Sequence, residues 1–391
     1  MLLIFLFHFA LCCLLCMPVL SLEAVSIDDV VLNRVGSVLP SDTLHSSGFK
    51  NAEFGFTWNN EDNDSIKWRP QGISSFSINS KDYIIVSWYG REQENYENRG
   101  VRIALVDISG TKGTTSTTTS SNSSATSEVK YRQILLIDEN DHTFEGMHGG
   151  GLAFSNDEES IHVPDSRSGT KQIYTFPISN ILYVTETERT DYYNYEYVIK
   201  RQSSYGVPIT PSFISYDWGL NKFLVGTFWQ CSSSHMDSSE CLSSDNNRLS
   251  WYDKDSVGVS TPPSCAPFFS ELQGAAAATV SIPGSYKSSS SSSSRILWTS
   301  CSYGSSHTSH LHVSDITTLD CSAGDNQWDN EFYRTIEYPP GLEDLHITAP
   351  ADAADADTQQ QFLWGLTEFG TGDGKDNHRT VFMTNIEYIM P

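Results

Sequence analysis

Basic residues are scarce in this chain of 391 residues, which has 24 Lys and Arg against 48 Asp and Glu. The formal net charge is −24 at pH 7. A surface this acidic repels phosphate groups, so the composition excludes nucleic acid as a partner and argues against anionic membranes. The charge does not identify a ligand.

Several catalytic and metal-binding signatures are also missing. Beyond its first 21 residues the sequence has no CxxC pair, and it has no GxSxG elbow, no HExxH and no phosphate-cradling glycine loop. These absences exclude a structural zinc ribbon, an α/β-hydrolase and a zinc protease. His148-Gly149-Gly150-Gly151 has the form of a lipase oxyanion motif, but the chain lacks the nucleophile elbow and the helical periodicity that such an enzyme needs.

Long apolar runs are absent outside the first residues. Residues 1–21 are apolar and end in Pro18 and the small-residue step Val19-Leu20-Ser21, which is typical of a secretory signal peptide cleaved near Ser21 or Ala24. The run is shorter than the roughly 20 residues that span a bilayer. An uncleaved anchor remains an alternative because the positively charged start is missing. We expect a secreted, extracellular, monomeric mature chain with no membrane partner.

Three of the eight cysteines lie in the predicted signal peptide. The others are Cys231, Cys241, Cys265, Cys301 and Cys321. In an oxidising compartment we predict the disulfides Cys231–Cys241 and Cys301–Cys321, with Cys265 unpaired or competing for one of them.

Two sequons lie in polar segments of the chain, at Asn63 and Asn122. In a secreted protein both predict N-glycosylation.

A short pattern recurs five times along the chain. A polar residue, often followed by a small one, opens an alternating strand; an apolar second strand and a third strand follow. The openings are Gln71–Ser74, His148–Gly151, Pro211–Ile214, Gln273–Ala276 and Glu343–His346. An all-β unit repeated in this way predicts a β-propeller, with residues 25–391 as one domain.

Fourth strands are predicted at Tyr131–Ile137, Tyr195–Arg201 and Glu331–Tyr338. The last repeat has none, so we expect the N-terminal strand near Val25–Val31 to complete it and close a ring of five blades. A sixth, partial blade within residues 35–68 stays open as an alternative. The Ser/Thr-rich segments 111–127 and 288–294 are interpreted as hairpin insertions, since such composition cannot bury a core.

Several segments carry a family resemblance. They are Lys67–Gly72, Ser87–Tyr89, Arg132–Leu136, His148–Leu152, Leu272–Ala275, Gly341–Leu345 and Leu363–Glu368. With them the chain resembles a group of secreted β-propeller-like proteins of unassigned activity, known from actinobacteria and scattered microbial eukaryotes. The resemblance implies the fold and secretion. It implies no activity, because the group has none established.

In a propeller the first strand of each blade lines the central channel, so the residues that open these strands cluster at one mouth. Here they are Gln71, His148, Thr210, Gln273, Glu343 and Asp344. Polar side chains converging in a concave mouth predict a binding site, with Trp88 and Tyr89 beside it. Neighbouring carboxylates are expected to raise the pKa of His148. The alternative is that these residues cap strand ends and hold channel waters.

Carboxylates near aromatic residues suggest a second function, because glycoside hydrolysis needs two carboxyl groups that flank the sugar bond. The candidates are Asp165, Asp217, Asp344 and Glu368. Against this stands the interpretation that Trp88, Trp298 and Trp364 are core residues and the acids are exposed loop ends.

Metal sites are weaker predictions. His310 and His312 project from one strand face, and His148 or His346 would complete a set, but alternating histidines are more often surface residues. Glu343 and Asp344 offer the oxygen ligands that Ca²⁺ prefers. We predict no required metal or cofactor.

The leading interpretation is therefore a secreted propeller that binds a small molecule, a glycan or a protein at its channel mouth. The alternative is a propeller hydrolase that acts on glycans or lactones through paired carboxylates. The sequence leaves open whether the protein is an enzyme.

Overall fold

A computed structural model describes residues 22–91, 99–110, 128–167, 169–228, 249–253, 271–282, 292–302, 307–317, 334–348, 361–370 and 378–390. The described residues are mainly β-strands. The strands are β1 (Glu23–Ala24), β2 (Arg34–Leu39), β3 (Ala52–Thr57), β4 (Trp68–Ile78), β5 (Lys81–Gly90), β6 (Val101–Asp107), β7 (Glu128–Ile137), β8 (Ala153–Ser155), β9 (Ser160–Pro164), β10 (Gln172–Pro177), β11 (Ile181–Tyr183), β12 (Tyr197–Lys200), β13 (Ser203–Gly206), β14 (Phe213–Asp217), β15 (Lys222–Gly226), β16 (Leu249–Asp253), β17 (Leu272–Ile282), β18 (Ser292–Cys301), β19 (Ser309–Asp315), β20 (Arg334–Tyr338), β21 (Leu342–Ile347), β22 (Phe362–Thr367) and β23 (Thr380–Asn385).

Short helices connect some of these strands. They are α1 (Ser41–Ser46), α2 (Asn60–Asn63), α3 (Ile386–Ile389) and the 3₁₀ turns Ile27–Asp29, Ile178–Asn180 and Arg189–Tyr192. None of the helices in the described ranges has the length and apolar character needed to cross a bilayer.

The predicted repeats form antiparallel meanders. They are β4–β5–β6–β7, β8–β9–β10–β13, β14–β15–β16, β17–β18–β19–β20 and β21–β22–β23–β3. The all-β prediction is confirmed, and the second and third strands of each repeat lie where the sequence places them.

Two strand assignments are wrong. Tyr195–Arg201 is not the fourth strand of the second repeat: β12 pairs in parallel with β7 in the first meander, and β13 takes the outer place beside β10. The last meander is completed by β3 and not by Val25–Val31, of which Ile27–Asp29 form a 3₁₀ turn. The side chains of Phe54 and Phe56 on β3 are buried in the core. A strand formed by Val25–Val31 in the same place would put Asp28 or Asp29 against that core.

Residues 35–68 form β2, β3 and two short helices, without a further meander. β2 pairs with β3 on one side and with β7 on the other, so it joins the last meander to the first.

The apolar core is divided between consecutive meanders. One cluster lies between the first and second meanders, others follow between the second and third, the third and fourth, and the fourth and fifth, and a further cluster joins Trp364 of β22 to Trp88 of β5. Trp58 packs edge-on against Trp88 with ring centroids 4.9 Å apart. Aromatic burial of this kind supplies a large share of the stability of such interfaces.

Candidate active site

Three of the five meanders have a local irregularity at the start of their first, innermost strand. The register of β4 shifts between Pro70 and Ile73, that of β17 between Leu272 and Gly274, and that of β21 between Leu342 and Leu345. A β-bulge removes residues from the ladder and redirects their side chains. The residues released are Gln71, Gly72, Gln273, Glu343 and Asp344. The repeated polar–small pattern therefore marks bulges, and we call this end of the innermost strands the mouth.

Two glutamates form a carboxyl pair at the mouth. Glu343 lies in the bulge of β21, Glu368 directly follows β22, and their side chains are hydrogen-bonded to each other. Both are buried, with 2% and 7% exposure. Burial raises the pKa of Glu343 well above its ordinary value, and the nearby charges of Glu368 and Asp344 act in the same direction. Glu343 is therefore the member of the pair that holds a proton.

Glu368 accepts hydrogen bonds from a cation and from a hydroxyl group. Its Oε1 accepts hydrogen bonds from Arg69 Nη1 at 3.0 Å and from the Tyr89 hydroxyl at 2.7 Å. The Arg69 guanidinium also lies 4.9 Å from the centroid of the Phe369 ring. Burial raises the pKa of Tyr89 well above its usual value, with the charge of Glu368 adding to the effect, so its hydroxyl remains a donor. The carboxyl pair thus consists of one protonated and one charge-compensated side chain.

Gln71 and His148 flank the pair. Gln71 Nε2 donates to Glu343 Oε2 at 3.4 Å. The His148 ring stacks on Tyr89, with centroids 4.6 Å apart and planes 18° from parallel. Protein atoms packed around the ring lower the pKa of His148 although the residue keeps exposed surface, and the charge of Glu368 opposes this only in part. The expected rise in the pKa of His148 is therefore wrong, because desolvation outweighs the neighbouring charge.

The other two predicted mouth residues face the protein. Gln273 Nε2 donates to the Ser302 carbonyl at 3.3 Å, and the Thr210 carbonyl accepts from Thr227 Oγ1 at 3.0 Å. Both side chains are half-buried. Neither hydrogen bond brings Gln273 or Thr210 into contact with Glu343 or Glu368.

Asp344 has a different position from Glu343, although the two are adjacent. Its side chain is fully buried, and Oδ2 accepts from the backbone amides of Ile73 at 3.2 Å and Leu152 at 3.4 Å. These amides belong to the first and second repeats. Burial raises the pKa of Asp344 well above its ordinary value while the amide donors oppose the rise. Asp344 therefore holds three repeats together and is not available as a surface ligand.

Asp165 and Asp217 are buried in structural ion pairs. Asp165 Oδ2 accepts from Arg167 Nη2 at 2.6 Å and from the Tyr174 hydroxyl at 2.7 Å. Asp217 pairs with Arg295 and accepts from Trp251 Nε1 at 2.7 Å. Because Asp217 ends β14, it lies at the opposite end of the innermost strands from the mouth. This position separates Asp217 from Glu343 and Glu368, and the hydrogen bonds of Asp165 join it to Arg167 and Tyr174 of its own meander.

Trp88 is fully buried between repeats and does not line the mouth. Its ring lies 4.9 Å from the Arg102 guanidinium and contacts Trp58. Trp298 and Trp364 are likewise in the core. The sequence pattern alone did not distinguish the core residue Trp88 from its neighbour Tyr89, which does reach the site.

The metal hypotheses find little support in the geometry. Within the described ranges no group of three or more His, Cys, Asp or Glu is arranged to hold a metal ion. His310 and His312 stack on each other, and His346 is buried against Ser74 and Ser75. Asp344 is fully buried, and its Oδ2 accepts from backbone amides, which are donors and do not fit a cation.

The modification predictions are mostly outside the described residues. This applies to Asn122, Cys231, Cys241, Cys265 and Cys321, as it does to residues 1–21. Cys301 is described and buried, and no disulfide occurs among the described cysteines.

Asn63 is 2% exposed, and its Oδ1 accepts from the Arg379 amide at 2.8 Å. Its Nδ2 contacts Asp64 and His378. A glycan on Asn63 therefore does not fit the folded chain.

Arg69 is the site residue that the sequence analysis missed. Arg69 lies in the segment Lys67–Gly72, directly before Pro70. A basic residue at the start of the first strand of a repeat is the sequence feature that could have indicated its role. Arg379 was missed as well. It is fully buried and donates to the carbonyls of Asp62, Ser65 and Glu368, which fixes the chain next to the carboxyl pair.

Comparison with known proteins gives distant structural likeness alone. No family model and no curated protein matches the chain. A GH43_1 enzyme from Xanthomonas citri is 11% identical, with a TM-score of 0.38 over 83% of this chain and 89% of that one. The GH43 β-xylosidase/α-arabinofuranosidase CoXyl43 from a compost metagenome is also 11% identical, with a TM-score of 0.36 over 83% and 92% of the two chains.

Kuenenia stuttgartiensis hydrazine synthase is 12% identical, with a TM-score of 0.29 over 76% of this chain and 62% of that one. The proteins that resemble this chain thus carry unrelated chemistries, and likeness at this level carries no argument about activity.

Proposed function

We propose that the protein is a glycoside hydrolase built on a closed five-bladed β-propeller, with Glu343 as the acid and Glu368 as its carboxylate partner. The observation that carries this proposal is the carboxyl pair itself: one member protonated by burial, the other compensated by Arg69 and Tyr89. Pairs whose environments favour opposite protonation states are the usual basis of acid–base division in active sites.

The closed ring is supported by contacts between successive innermost strands. These strands contact one another in the order β4, β8, β14, β17 and β21, and β21 contacts β4. Gly72 abuts the backbone of Gly151, Gly150 abuts Ser212, Ser215 donates to the Ala275 carbonyl, Gly274 abuts Asp344, and Asp344 accepts from Ile73. Each step joins one repeat to the next and the last repeat to the first. β3 supplies the outer strand of the last blade.

The reaction follows from the roles of the two carboxyl groups. Glu343 would donate its proton to the glycosidic oxygen as the bond to the anomeric carbon breaks, and Glu368 would attack that carbon or activate a water molecule. Retaining glycosidases place the two carboxyl groups about 5–5.5 Å apart, and inverting ones farther. Because Glu343 and Glu368 are directly hydrogen-bonded, an entering sugar must break this bond, and the short separation favours the retaining arrangement.

Tyr89 and His148 suit recognition of the sugar. Their stacked rings lie beside Glu368, and His148 is exposed at the surface while Tyr89 is buried. Gln71 adds an amide that already reaches Glu343. Secretion is part of the proposal, since an extracellular glycan would be the accessible substrate for a chain with the predicted signal peptide.

A panel of nitrophenyl pentosides and hexosides, in both anomeric forms, tests the proposal. We expect hydrolysis of at least one, and a loss of kcat/KM of about a thousandfold or more in Glu343→Gln and Glu368→Gln, because each removes an acid or a nucleophile. Glu145→Gln is the matched control, since Glu145 is exposed three residues before His148.

No turnover of any glycoside by the folded protein, or full activity in Glu343→Gln, would overturn the hydrolase. Saturable binding of a neutral oligosaccharide without turnover, lost on replacement of His148 and Gln71, would favour the binding module instead.

A further inference from the structure

A cavity of about 640 Å³ lies at the outer side of the first meander, apart from the carboxyl pair. Its walls come from β2, α2, the starts of β4 and β6, the middle of β7 and residues 189–196. A volume of this size accommodates a small organic molecule.

Cations dominate the cavity in a chain whose net charge is −24. Five arginines line it: Arg34, Arg99, Arg102, Arg132 and Arg189. A surplus of arginine on one surface of a strongly acidic protein needs a specific reason, since random placement would favour acids there.

Two carboxylates of the cavity, the buried Asp62 and the half-buried Glu196, are each shared by two arginines. Asp62 accepts from Arg34 Nη1 at 2.9 Å and from Arg102 Nη2 at 2.8 Å. Glu196 lies 2.5 Å from Arg132 Nη2 and 3.4 Å from Arg189 Nη2. Because Arg34 also pairs with Glu61 Oε2 at 3.1 Å, the group around Asp62 is balanced, whereas the group around Glu196 keeps one positive charge in excess.

Arg99 adds a further cation. Its guanidinium lies 5.3 Å from the centroid of the Tyr193 ring and has no carboxylate partner among the residues that the structure describes. Tyr193 and Asn194 both have left-handed backbone, with φ of 52° and 67°. Consecutive left-handed residues other than glycine are strained, and this turn places both side chains in the cavity wall.

Two buried polar atoms in the wall lack partners within the described chain. Arg102 and Gln133 are each 4% exposed, and Arg102 Nε and Gln133 Oε1 have no hydrogen bond. The Arg102 guanidinium is held between the rings of Trp68 and Trp88, at 4.5 and 4.9 Å from their centroids, so its orientation is fixed. An unpaired donor and an unpaired acceptor of this kind cost stability unless a ligand or water satisfies them.

We propose that this cavity binds a sugar acid, a small molecule that combines a carboxylate with hydroxyl groups. Arginine donors around an excess of positive charge fit the carboxylate. The free acceptor at Gln133 Oε1 fits a hydroxyl donor, which sulfate lacks. The site is independent of the proposed hydrolase, because it shares no residue with the carboxyl pair.

Calorimetric titration of the full chain with glucuronate, glucose and sulfate at fixed low ionic strength tests the assignment. We expect saturable binding of glucuronate, weaker binding of sulfate and none of glucose. Arg99→Gln should raise the dissociation constant for glucuronate about tenfold or more, since a hydrogen bond to a charged group is lost, while the thermal midpoint without ligand stays unchanged. Lys171→Gln removes the same charge from an exposed site outside the cavity and should bind as the parent does.

Gln133→Leu separates the sugar acid from a plain anion, because it should weaken glucuronate and leave sulfate unaffected. Glu343→Gln should bind glucuronate normally, which keeps this site distinct from the mouth. Equal affinity of Arg99→Gln and the parent, binding of glucose as tight as that of glucuronate, or failure of all three probes to bind would each overturn the proposal.

Discussion

At the residue scale, neighbouring side chains of similar chemistry have different roles because the bulge turns them to different surroundings. The Glu343 side chain contacts the Glu368 carboxyl group at the mouth, and the Asp344 side chain accepts hydrogen bonds from the backbone amides of other repeats. The sequence pattern located both residues but could not separate them. The difference in role depends on the neighbours that the fold brings close to each residue. One neighbour of Asp344, Leu152, is 192 positions away from it in the sequence.

Replacement of Asp344 should therefore act on stability. Asp344→Ala leaves the amides of Ile73 and Leu152 without their acceptor in a buried place, so we expect a loss of about 3 kcal/mol or more in the free energy of unfolding. Asp344→Asn keeps one acceptor oxygen and should lose much less. Urea denaturation of both variants measures the difference; equal stability of Asp344→Ala and the parent would show that the residue is no clasp.

The protonated state of Glu343 gives the stability of the protein a pH dependence of known sign. Its pKa in the folded chain lies well above its ordinary value of 4.5, so between these two values the folded chain holds a proton that the unfolded chain releases. Stability therefore falls as the pH rises through this window, by up to about 1.4 kcal/mol per pH unit for one proton.

Glu343→Gln is neutral at every pH and should flatten this slope, with Asp344 and Asp217 leaving a remainder because their pKa values are raised too. Denaturation curves at pH 5 and pH 8 measure it. Identical slopes in the variant and the parent would contradict a buried proton on Glu343.

At the element scale, strands whose apolar and polar residues alternate regularly were predictable. The strands β3 and β12, which join one meander to another part of the chain, were not. The second and third strands of each repeat carry period-two patterns with Trp88, Trp298 and Trp364 in them, and all lie as predicted. β3 and β12 are short, and their partners are far away in sequence, so local pattern cannot choose between neighbouring candidates. The sequence predicted the two members of the carboxyl pair for different roles, Glu343 as a binding residue and Glu368 as a catalytic one. Only the fold shows that they lie together.

The glycine run after His148 has a packing role in the innermost strands. A Cβ atom on Gly150 would lie 1.9 Å from the Ser212 carbonyl oxygen, which belongs to the next repeat. We expect Gly150→Ala to lower the free energy of unfolding by about 1–3 kcal/mol or more, because the two strands must move apart. Gly110→Ala meets no atom within 4 Å and should change stability by less than about 0.5 kcal/mol. Thermal unfolding of the two variants side by side tests this.

At the scale of the whole molecule, the two ends of the chain meet in one sheet. β3 pairs with β2 on one side and with β23 on the other, and the β3–β23 pair joins residues more than 300 positions apart. Arg379 adds a side-chain link across the same junction, since it donates to the Asp62 carbonyl at 2.7 Å. Closure of this kind leaves no free edge between the last and first meanders.

Disruption of β3 should therefore loosen both ends of the protein together. A Cβ atom on Gly55 would lie 2.7 Å from the Val381 carbonyl and 2.9 Å from Leu44 Cδ2, so Gly55→Ala opposes the pairing of β3 with β23. We expect hydrogen exchange to accelerate in β2, β3 and β23 at once, because a ring opened at one junction loses the constraint on both partners. Gly206→Ala in β13 meets its nearest atom at 3.8 Å and serves as the control, with exchange unchanged in these strands. Faster exchange limited to β3 would show that β2 and β23 are held independently of β3.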